Sequence, residues 1–413
     1  MEGMLSSYRA LDLTSDGYLM CGRILADLGA DVIKIEQAGG DESRNTAPFY
    51  HQIPDPEKSL FWFAYNLGKR SITLDIQKPD GRELFKRLLK TAQVVLESYA
   101  PGYLDALGLG YPELNQIHSS VILTSMTPYG QSGPYAAYKG SDIVMMGMGG
   151  LAYVTGYPDG PPMRVSCPQA AVVAASQAAA ATTIALFHRS MTGEGQHVDT
   201  STQASIAWTL TNAVSLWELS RFNLRRLGSV LRGREKGPRQ NLLWPCKDGY
   251  VIFPIMGGGF FSEDNIALTQ WMDEEGMADD FLRGFDWENY DMATATQETH
   301  SQLEDRIRRF FLKHTKQELY EGGFKRGIKI YPANSPKDIL NDPQLEARNY
   351  WIKVDHPELN EELTYPGTFY QTTGPAFRAT RRPPLVGEHN REIYSEIGLS
   401  PAEMDILKKA AII

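Results

Sequence analysis

The sequence predicts an α/β protein built around a parallel β-sheet. Residues 8–13 and 32–35 are short apolar runs typical of buried strands, and residues 19–28 between them have helical spacing. A strand, a helix and a second strand in such close succession are typical of a βαβ unit, whose two strands lie parallel. The turn at 14–17 reads TSDG rather than GxGxxG, so we infer no dinucleotide-binding fingerprint.

The same alternation continues through the first half of the chain. Further strands are predicted at 71–76, 94–96 and 121–125, and helices at 82–92 and 112–118. A Gly-rich stretch follows at 129–134, and a turn at 192–199 leads into another strand. Ser98 and Tyr99 stand at the carboxyl end of a predicted strand, which is where open α/β sheets collect their ligands.

An alanine-rich run from 170 to about 190 predicts one long helix. Pro161 and Pro162 end the preceding unit, and Pro168 suits the first helical turn, where a missing N–H is tolerated. A loop that enters a helix N-terminus suits an acidic nucleophile or a bound anion, because unpaired N–H groups converge there. Polar side chains interrupt the run, so we expect a buried helix of a soluble protein rather than a membrane span.

The second half of the chain predicts a linker and a smaller domain. Residues 203–220 have helical spacing, and we expect Trp208 and Trp217 to lie in the core. The basic, Gly-containing stretch that follows favours an exposed linker over a binding patch. The predicted order is large domain, linker, small domain and large domain again, at 1–220, 221–239, 240–325 and 326–413.

Composition and charge exclude several classes of function. The 413 residues carry a net charge of −9, which argues against a general nucleic-acid binder, because phosphate neutralisation requires surplus Lys and Arg. Cys21, Cys167 and Cys246 are too few and too scattered for a disulfide framework or a zinc site. The first residues do not resemble a signal peptide. We expect a cytoplasmic protein with no metal and no membrane contact.

Two kinds of motif carry candidate phosphate chemistry. Lys69 and Arg70 precede a predicted strand, where they suit either a solvated loop or contacts to an anionic cofactor. Lys139, in a loop rich in Gly and Tyr, is a similar candidate. No GxSxG, HExxH or Walker A pattern occurs, so we expect neither a serine hydrolase, a zinc protease nor a P-loop enzyme.

Three consecutive glycines and one cysteine are further candidates. Gly257, Gly258 and Gly259 form either a flexible lid or a hairpin turn, because glycine permits close approach of the backbone. Cys167, near the predicted helix start, is either a thiolate nucleophile or an inert buried thiol. The residues alone therefore indicate an α/β enzyme, or an enzyme-like protein, with an anionic ligand.

Seven short motifs along nearly the whole chain resemble the family III CoA-transferases, which include formyl-CoA transferase, carnitine CoA-transferase and α-methylacyl-CoA racemase. They are LADLGADVIKIE at 25–36, GKRSI at 68–72, LGLGY at 107–111, YGQSGP at 129–134, GEGQHVD at 193–199, DPQL at 342–345 and LVGEH at 385–389. The resemblance implies a Rossmann-like large domain, a small domain, and two ring-shaped chains that interlock as a dimer. It also implies coenzyme A thioesters as substrates and no permanently bound cofactor.

The mechanism that the resemblance implies is covalent. An Asp carboxylate attacks the acyl-CoA thioester, giving a mixed anhydride and free CoA thiolate. The thiolate returns to form an enzyme–CoA thioester, from which the acceptor carboxylate takes the CoA. Counting from Pro161 and Pro162 places Ala171 where the family has this Asp, and a methyl group cannot attack a thioester. Gln169, an amide, does not replace it.

The nucleotide pocket that the resemblance implies is weakened in this chain. Family arginines are replaced by Gln37 and Ala106, and an Asn-Phe pair is replaced by Ser98 and Tyr99. The positions expected to contact CoA are Gln37, Lys69, Arg70, Ser98, Tyr99 and Lys139.

Three hypotheses for the function remain open. We favour a non-catalytic subunit of a heteromeric CoA-transferase, whose homologous partner carries the Asp and whose substrates are a CoA thioester and a carboxylic acid. The chain resembles heteromeric members of the kind that use succinyl-CoA and (R)-benzylsuccinate in anaerobic toluene degradation. The second hypothesis is an active homodimer with a displaced nucleophile at Cys167, Asp159 or Asp142. The third is a CoA-binding or regulatory protein without turnover.

Overall fold

The structure, a computed structural model, describes residues 3–232, 237–373 and 381–413. The chain forms two compact units. The larger unit comprises Met1–Ala152, Arg164–Leu224 and Glu346–Ile413, and the smaller comprises Tyr153–Met163 and Arg225–Leu345. The domain division predicted from the sequence stays a prediction.

Six parallel strands form the sheet of the larger unit. They are β1 (Arg9–Leu13), β2 (Asp31–Glu36), β3 (Arg70–Thr73), β4 (Val94–Glu97), β5 (Ile122–Thr127) and β6 (His197–Ser201). Their order is β3-β2-β1-β4-β5-β6, and each neighbouring pair is parallel. This is the order of a Rossmann-type sheet, and it confirms the predicted α/β class. The order reverses between β1 and β4, which opens a crevice at their carboxyl ends.

Helices of the larger unit cover both faces of the sheet, and the smaller unit contains further helices. They are α1 (Leu19–Asp27), α2 (Leu60–Asn66), α3 (Pro79–Leu89), α4 (Tyr103–Ala106), α5 (Tyr111–Ile117), α6 (Asp142–Met148), α7 (Leu151–Val154), α8 (Ala170–Thr192), α9 (Thr202–Trp208), α10 (Thr211–Ser220), α11 (Glu263–Glu274), α12 (Asp280–Arg283), α13 (Gln297–Phe311), α14 (Lys316–Arg326), α15 (Pro336–Leu340), α16 (Pro343–Ala347), α17 (Asn390–Glu396) and α18 (Pro401–Lys409). On one face, Phe85 of α3 and Tyr394 of α17 lie in a core beneath Leu11 and Val95. On the other face, α1 and α8 pack against Val32 and its neighbours.

The alanines of α8 allow that helix to approach the sheet closely. Ala174, Ala175 and Ala178 are fully buried. The helix is long and apolar enough to cross a membrane, but 44% of its most apolar window is buried inside the chain, as in the core helix of a soluble protein. It begins at Ala170, with Gln169 as the N-cap residue, so the prediction that Pro168 lies in its first turn is wrong.

The tryptophans of α9 and α10 are exposed rather than buried. Trp208 is 71% exposed and Trp217 is 51% exposed, so the prediction that they lie in the core is wrong. Helical spacing shows that a helix has one apolar face, but it does not show what covers that face. In the single chain Trp208 is left largely exposed, and the guanidinium carbon of Arg221 lies 5.9 Å from the centroid of the Trp217 ring.

The smaller unit has its own aromatic core and antiparallel strands. Strands β7 (Val230–Arg232) and β8 (Arg239–Asn241) form one pair, and β9 (Leu243–Cys246), β10 (Gly249–Ile252) and β11 (Tyr331–Pro332) form a sheet. Trp244, Phe253, Phe310 and Phe311 are fully buried beside this sheet. The predicted linker at 221–239 contains β7, and its residues 233–236 lie outside the described residues. In the larger unit, β12 (Trp351–His356) and β13 (Glu361–Pro366) form a hairpin.

A buried ion pair joins β1 to the start of β3. The Nζ atom of Lys69 lies 2.8 Å from Oδ2 of Asp12, and both side chains are fully buried. Lys69 also donates to the carbonyl oxygen of Leu19 at the start of α1, at 2.9 Å. Removing one member of such a pair leaves an uncompensated charge in the interior.

We therefore expect Lys69→Met to lower the free energy of unfolding by about 3–5 kcal/mol, measured by urea denaturation. Lys353→Met is the matched control, because Lys353 is exposed and its ion pair with Glu362, at 3.1 Å, lies on the surface. It should change stability by less than about 1 kcal/mol. Equal losses in the two variants would contradict the account.

Candidate functional site

The crevice of the sheet lies between the loops that follow β1 and β4. The backbone N–H of Ser15, after β1, donates to Oγ of Ser98, after β4, at 3.0 Å. The backbone N–H of Tyr99 donates to the carboxylate of Glu97 at 2.7 Å. These bonds hold the two loops at the carboxyl edge of the sheet, where ligands of doubly wound folds bind.

The N-terminus of α8 lies against the loop that follows β1. Oδ1 of Asp142 accepts hydrogen bonds from the backbone N–H groups of Gln169 and Ala170, at 2.7 and 2.8 Å. Ala171 follows in the first turn. A Cβ atom added to Gly17 would lie 2.8 Å from the Cβ of Ala171, so the two residues are in close contact. The sequence-predicted nucleophile position is therefore a methyl group at the crevice.

Asp16 is a further acidic group beside this helix start, and sequence reasoning missed it. Its φ of 56° is in the left-handed region, which is uncommon for a residue other than glycine and recurs at functional sites. Surrounding protein raises the pKa of Asp16, and the negative charges of Asp142 and Asp41 raise it further. The one sequence signal that could have identified Asp16 was its position in the turn after the first predicted strand.

Cys167 and Tyr65 lie in the same neighbourhood. The Cys167 thiol is exposed and accepts a hydrogen bond from Nε2 of Gln169 at 3.2 Å. Burial raises the pKa of Tyr65, and negative charge on Cys167 and Asp16 adds to this shift. One of the two predictions for Cys167 was a buried, inert thiol. The prediction that it is buried is wrong, because the thiol is exposed.

Lys69 and Arg70 do not face solvent. The ammonium of Lys69 is paired with Asp12, and burial lowers the pKa of this lysine. The guanidinium of Arg70 bonds Asp31 at 2.9 Å and also Glu392 of α17, at 2.7 Å. These contacts hold α17 against the sheet. The prediction that either cation contacts a phosphate therefore finds no support in this geometry.

The other predicted CoA positions lie at the carboxyl edge of the sheet or in its loops. Gln37 follows β2 and is exposed. Tyr99 is half-buried against Tyr103, with ring centroids 4.6 Å apart, and burial raises its pKa to about 12. Ser98 is engaged with the loop after β1, and Lys139 is exposed in the loop between β5 and α6.

The glycine loop of the smaller unit is hydrogen-bonded in place. The N–H of Gly258 donates to the carbonyl oxygen of Trp287, and the N–H of Gly259 donates to that of Glu288, each at 3.2 Å. A Cβ atom at Gly257 would lie 2.1 Å from the carbonyl oxygen of Tyr290, so this position requires glycine. Movement of this loop as a lid stays a prediction.

Comparison with known proteins identifies the family. A family model described as CoA-transferase family III matches residues 5–390. The chain belongs to CoA-transferase family III. The succinyl-CoA:(R)-benzylsuccinate CoA-transferase subunit BbsE of Thauera aromatica is 34% identical, over 98% of each chain. The succinyl-CoA–D-citramalate CoA-transferase of Chloroflexus aurantiacus is 29% identical, over 95% of this chain and 94% of its own.

A solved structure supports the same family and fold. The crystal structure of a CAIB/BAIF family protein from Brucella suis has 28% identity and a TM-score of 0.83, covering 96% of this chain and 100% of its own. The resemblance seen in the sequence motifs is thereby confirmed, together with the α/β fold.

Asp142 gives the first turn of α8 its N-terminal cap. We expect Asp142→Ala to lower the free energy of unfolding by about 1–2 kcal/mol, because two helix N–H groups lose their acceptor. Asp142→Asn keeps an acceptor oxygen and should lose less than about 0.5 kcal/mol. Urea denaturation of the purified variants measures both values. If Asp142→Ala matched the parent protein, the cap would have no energetic role.

Proposed function

We propose that this chain is a non-catalytic subunit of a heteromeric CoA-transferase, which moves CoA from an acyl-CoA to a carboxylic acid. Ala171 carries the proposal, because it stands where the resemblance implies the nucleophilic Asp. The partner is a homologous chain that has Asp at this position. The partner's carboxylate forms the mixed anhydride and then the enzyme–CoA thioester.

The charges around Ala171 support this proposal. Asp16 and Asp142 place carboxylates at the start of α8, and the pKa of Asp16 is already raised, by burial and then by its acidic neighbours. Like charges at short range disfavour a further anion. These carboxylates would therefore disfavour a bound carboxylate substrate, and would also disfavour an ionised Asp introduced at position 171.

The predicted nucleotide contacts also support a non-catalytic role. Three of the six positions carry uncharged side chains, and two are cations that are paired inside the protein. Of the six, Lys139 alone is both cationic and exposed. We propose that the partner binds CoA more tightly than this chain does.

An exposed apolar surface supports an obligate partner. Phe187 of α8 is 68% exposed, Trp208 of α9 is 71% exposed and Leu219 of α10 is 84% exposed. Large apolar side chains exposed in this way are typical of protein–protein interfaces. We propose that the partner chain covers these helices in an interlocked dimer.

The names of the relatives suggest the substrates. Two relatives are named for succinyl-CoA, and a third, from Agrobacterium fabrum, is named succinate–glutarate CoA-transferase. We propose succinyl-CoA as the donor and (R)-benzylsuccinate as the acceptor, in the cytoplasm. The free cysteines Cys21, Cys167 and Cys246 fit a reducing compartment.

A displaced nucleophile is the second candidate, and the exposed thiol of Cys167 favours it. Asp142 is less suited, because one of its oxygens already accepts two backbone hydrogen bonds. Asp159 is exposed and lies 3.7 Å from Arg239.

Exchange of the key residues between the two chains tests the proposal. The native complex is purified, its partner is identified by mass spectrometry, and CoA transfer is measured for variants of each chain. We expect loss of the partner's Asp to reduce kcat by about 10³-fold or more, because the covalent step is lost. Cys167→Ser in this chain should leave kcat unchanged.

Ala171→Asp in this chain should not restore transfer to a complex whose partner has lost its Asp. Purification of this chain alone with transfer activity, or loss of activity in the Cys167→Ser variant, would contradict the proposal and favour the displaced nucleophile.

A further inference from the structure

The glycine loop at 257–259 rests on one short segment of the smaller unit, residues 287–290. The N–H groups of Gly258 and Gly259 donate to the first two carbonyl oxygens of this segment, and Gly257 packs against its last one. We call residues 287–290 the supporting segment. Because each of the three glycines contacts it, the position of the supporting segment sets the position of the loop.

The supporting segment is fixed to the core of the smaller unit by its two large aromatic side chains. Tyr290 is 6% exposed, and its hydroxyl lies 2.7 Å from Nδ1 of His300 on α13. The rings of Tyr290 and His300 are nearly parallel, with planes 8° apart. The indole N–H of Trp287 donates to the hydroxyl of Thr269 on α11, at 3.1 Å.

The direction of the bond between Tyr290 and His300 follows from the charges around it. Burial, and then the negative charge of Glu304, raises the pKa of Tyr290 to about 12, so the phenol keeps its proton near pH 7. Oε1 of Glu304 lies 3.3 Å from Nε2 of His300. A negative charge there favours a proton on Nε2, which leaves the lone pair on Nδ1. The Tyr290 hydroxyl therefore donates to His300.

This arrangement leaves two buried polar atoms beside the loop unsatisfied. Among the described residues, neither Nε2 of His300 nor Oδ1 of Asn265 has a hydrogen-bond partner, since the contact of His300 with Glu304 lacks the required geometry. Asn265 of α11 is 1% exposed, and its Nδ2 donates to the carbonyl oxygen of Met256, just before the loop. Unsatisfied buried groups are destabilising, so they lower the free-energy cost of leaving this arrangement.

The loop itself has space to move. A Cβ atom on Gly259 would have no atom within 4 Å, and one on Gly258 would have only the carbonyl oxygen of Tyr290, at 3.8 Å. The φ angles of Gly258 and Gly259 are 83° and 50°, a region that glycine adopts freely. The hydroxyl of Ser262 donates to the carbonyl oxygen of Gly259 at 2.6 Å, which fixes the end of the loop to the start of α11.

We propose that the hydrogen bond between Tyr290 and His300 controls the opening of the glycine loop. The loop opens when this bond breaks, and the supporting segment moves with it. Tyr290 and His300 are thus positioning residues for the loop. The proposal concerns the smaller unit alone and does not depend on which chain carries the nucleophile, so it can fail while the proposed function stands.

Hydrogen–deuterium exchange of the full chain, followed by mass spectrometry of its peptides, measures the opening. Tyr290→Phe removes the hydroxyl and keeps the ring, which leaves Nδ1 of His300 buried without a donor. The amides of Gly258 and Gly259 should then exchange about tenfold faster. Peptides that cover the loop and the supporting segment should accelerate together, whereas the amides at 303–311 in α13 should keep their rates.

Replacements of His300 separate a specific hydrogen bond from general packing. His300→Asn places a side-chain oxygen near the position of Nδ1, so loop exchange should stay within about threefold of the parent chain. His300→Leu has no acceptor and should match Tyr290→Phe, with no further acceleration in the double variant. Tyr365→Phe is the matched control, because it removes a 2.8 Å bond to the buried His356 of the larger unit. It should leave loop exchange unchanged.

Circular dichroism verifies that each variant is folded, and the two His300 variants carry the test if Tyr290→Phe does not fold. The parent chain provides a test without any substitution, because the loop and the supporting segment must open at the same rate. Different opening rates in the parent chain would overturn the proposal. So would unchanged loop exchange in folded Tyr290→Phe, equal acceleration in His300→Asn and His300→Leu, or acceleration that extends evenly into α13.

Discussion

The buried carboxylate of Asp12 is the interaction on which the crevice depends. Oδ2 pairs with Lys69, and Oδ1 accepts from both the backbone N–H and the hydroxyl of Thr14, at 2.9 and 2.6 Å. Nζ of Lys34 donates to the carbonyl oxygen of Thr14 at 2.6 Å. One charge at the end of β1 therefore fixes the turn that follows it, and through Lys69 it also ties that turn to β3. A buried ion pair of this kind is destabilising when either member is lost, so the geometry of the turn is strongly maintained.

The rigid turn explains why residue 171 is decisive in the proposed function. Gly17 lies in that turn, and the first turn of α8 packs directly on it, with Asp142 capping the helix from a third element. A carboxylate at 171 would thus be held at the crevice of a family III CoA-transferase. In this chain the same framework holds a methyl group. The fold is preserved, and in the proposed function the carboxylate that the covalent mechanism requires comes from the partner chain.

Local patterns in the sequence predicted the sheet, but they did not predict which groups its charged side chains pair with. Short apolar runs identified the first strands and an alanine-rich run identified α8, because both signals are local in the sequence. Lys69 and Arg70 looked like phosphate ligands, since sequence shows a cation but not the distant carboxylates, Asp12 and Glu392, that pair with it. Likewise, the apolar face carrying Trp208 is visible in the sequence, whereas local spacing does not show what covers that face. Asp16 lies beside the start of α8, which is distant in sequence, so no local pattern indicates that Asp16 belongs to this site.

The most direct test of the central claim is to locate the covalent intermediate in the native complex. The complex is incubated with labelled succinyl-CoA without acceptor, and the labelled peptides of both chains are mapped by mass spectrometry. The account predicts a label on the partner's Asp and none on this chain. A label on Cys167, or on any other residue of this chain, would show that the chain has its own nucleophile and would contradict the account.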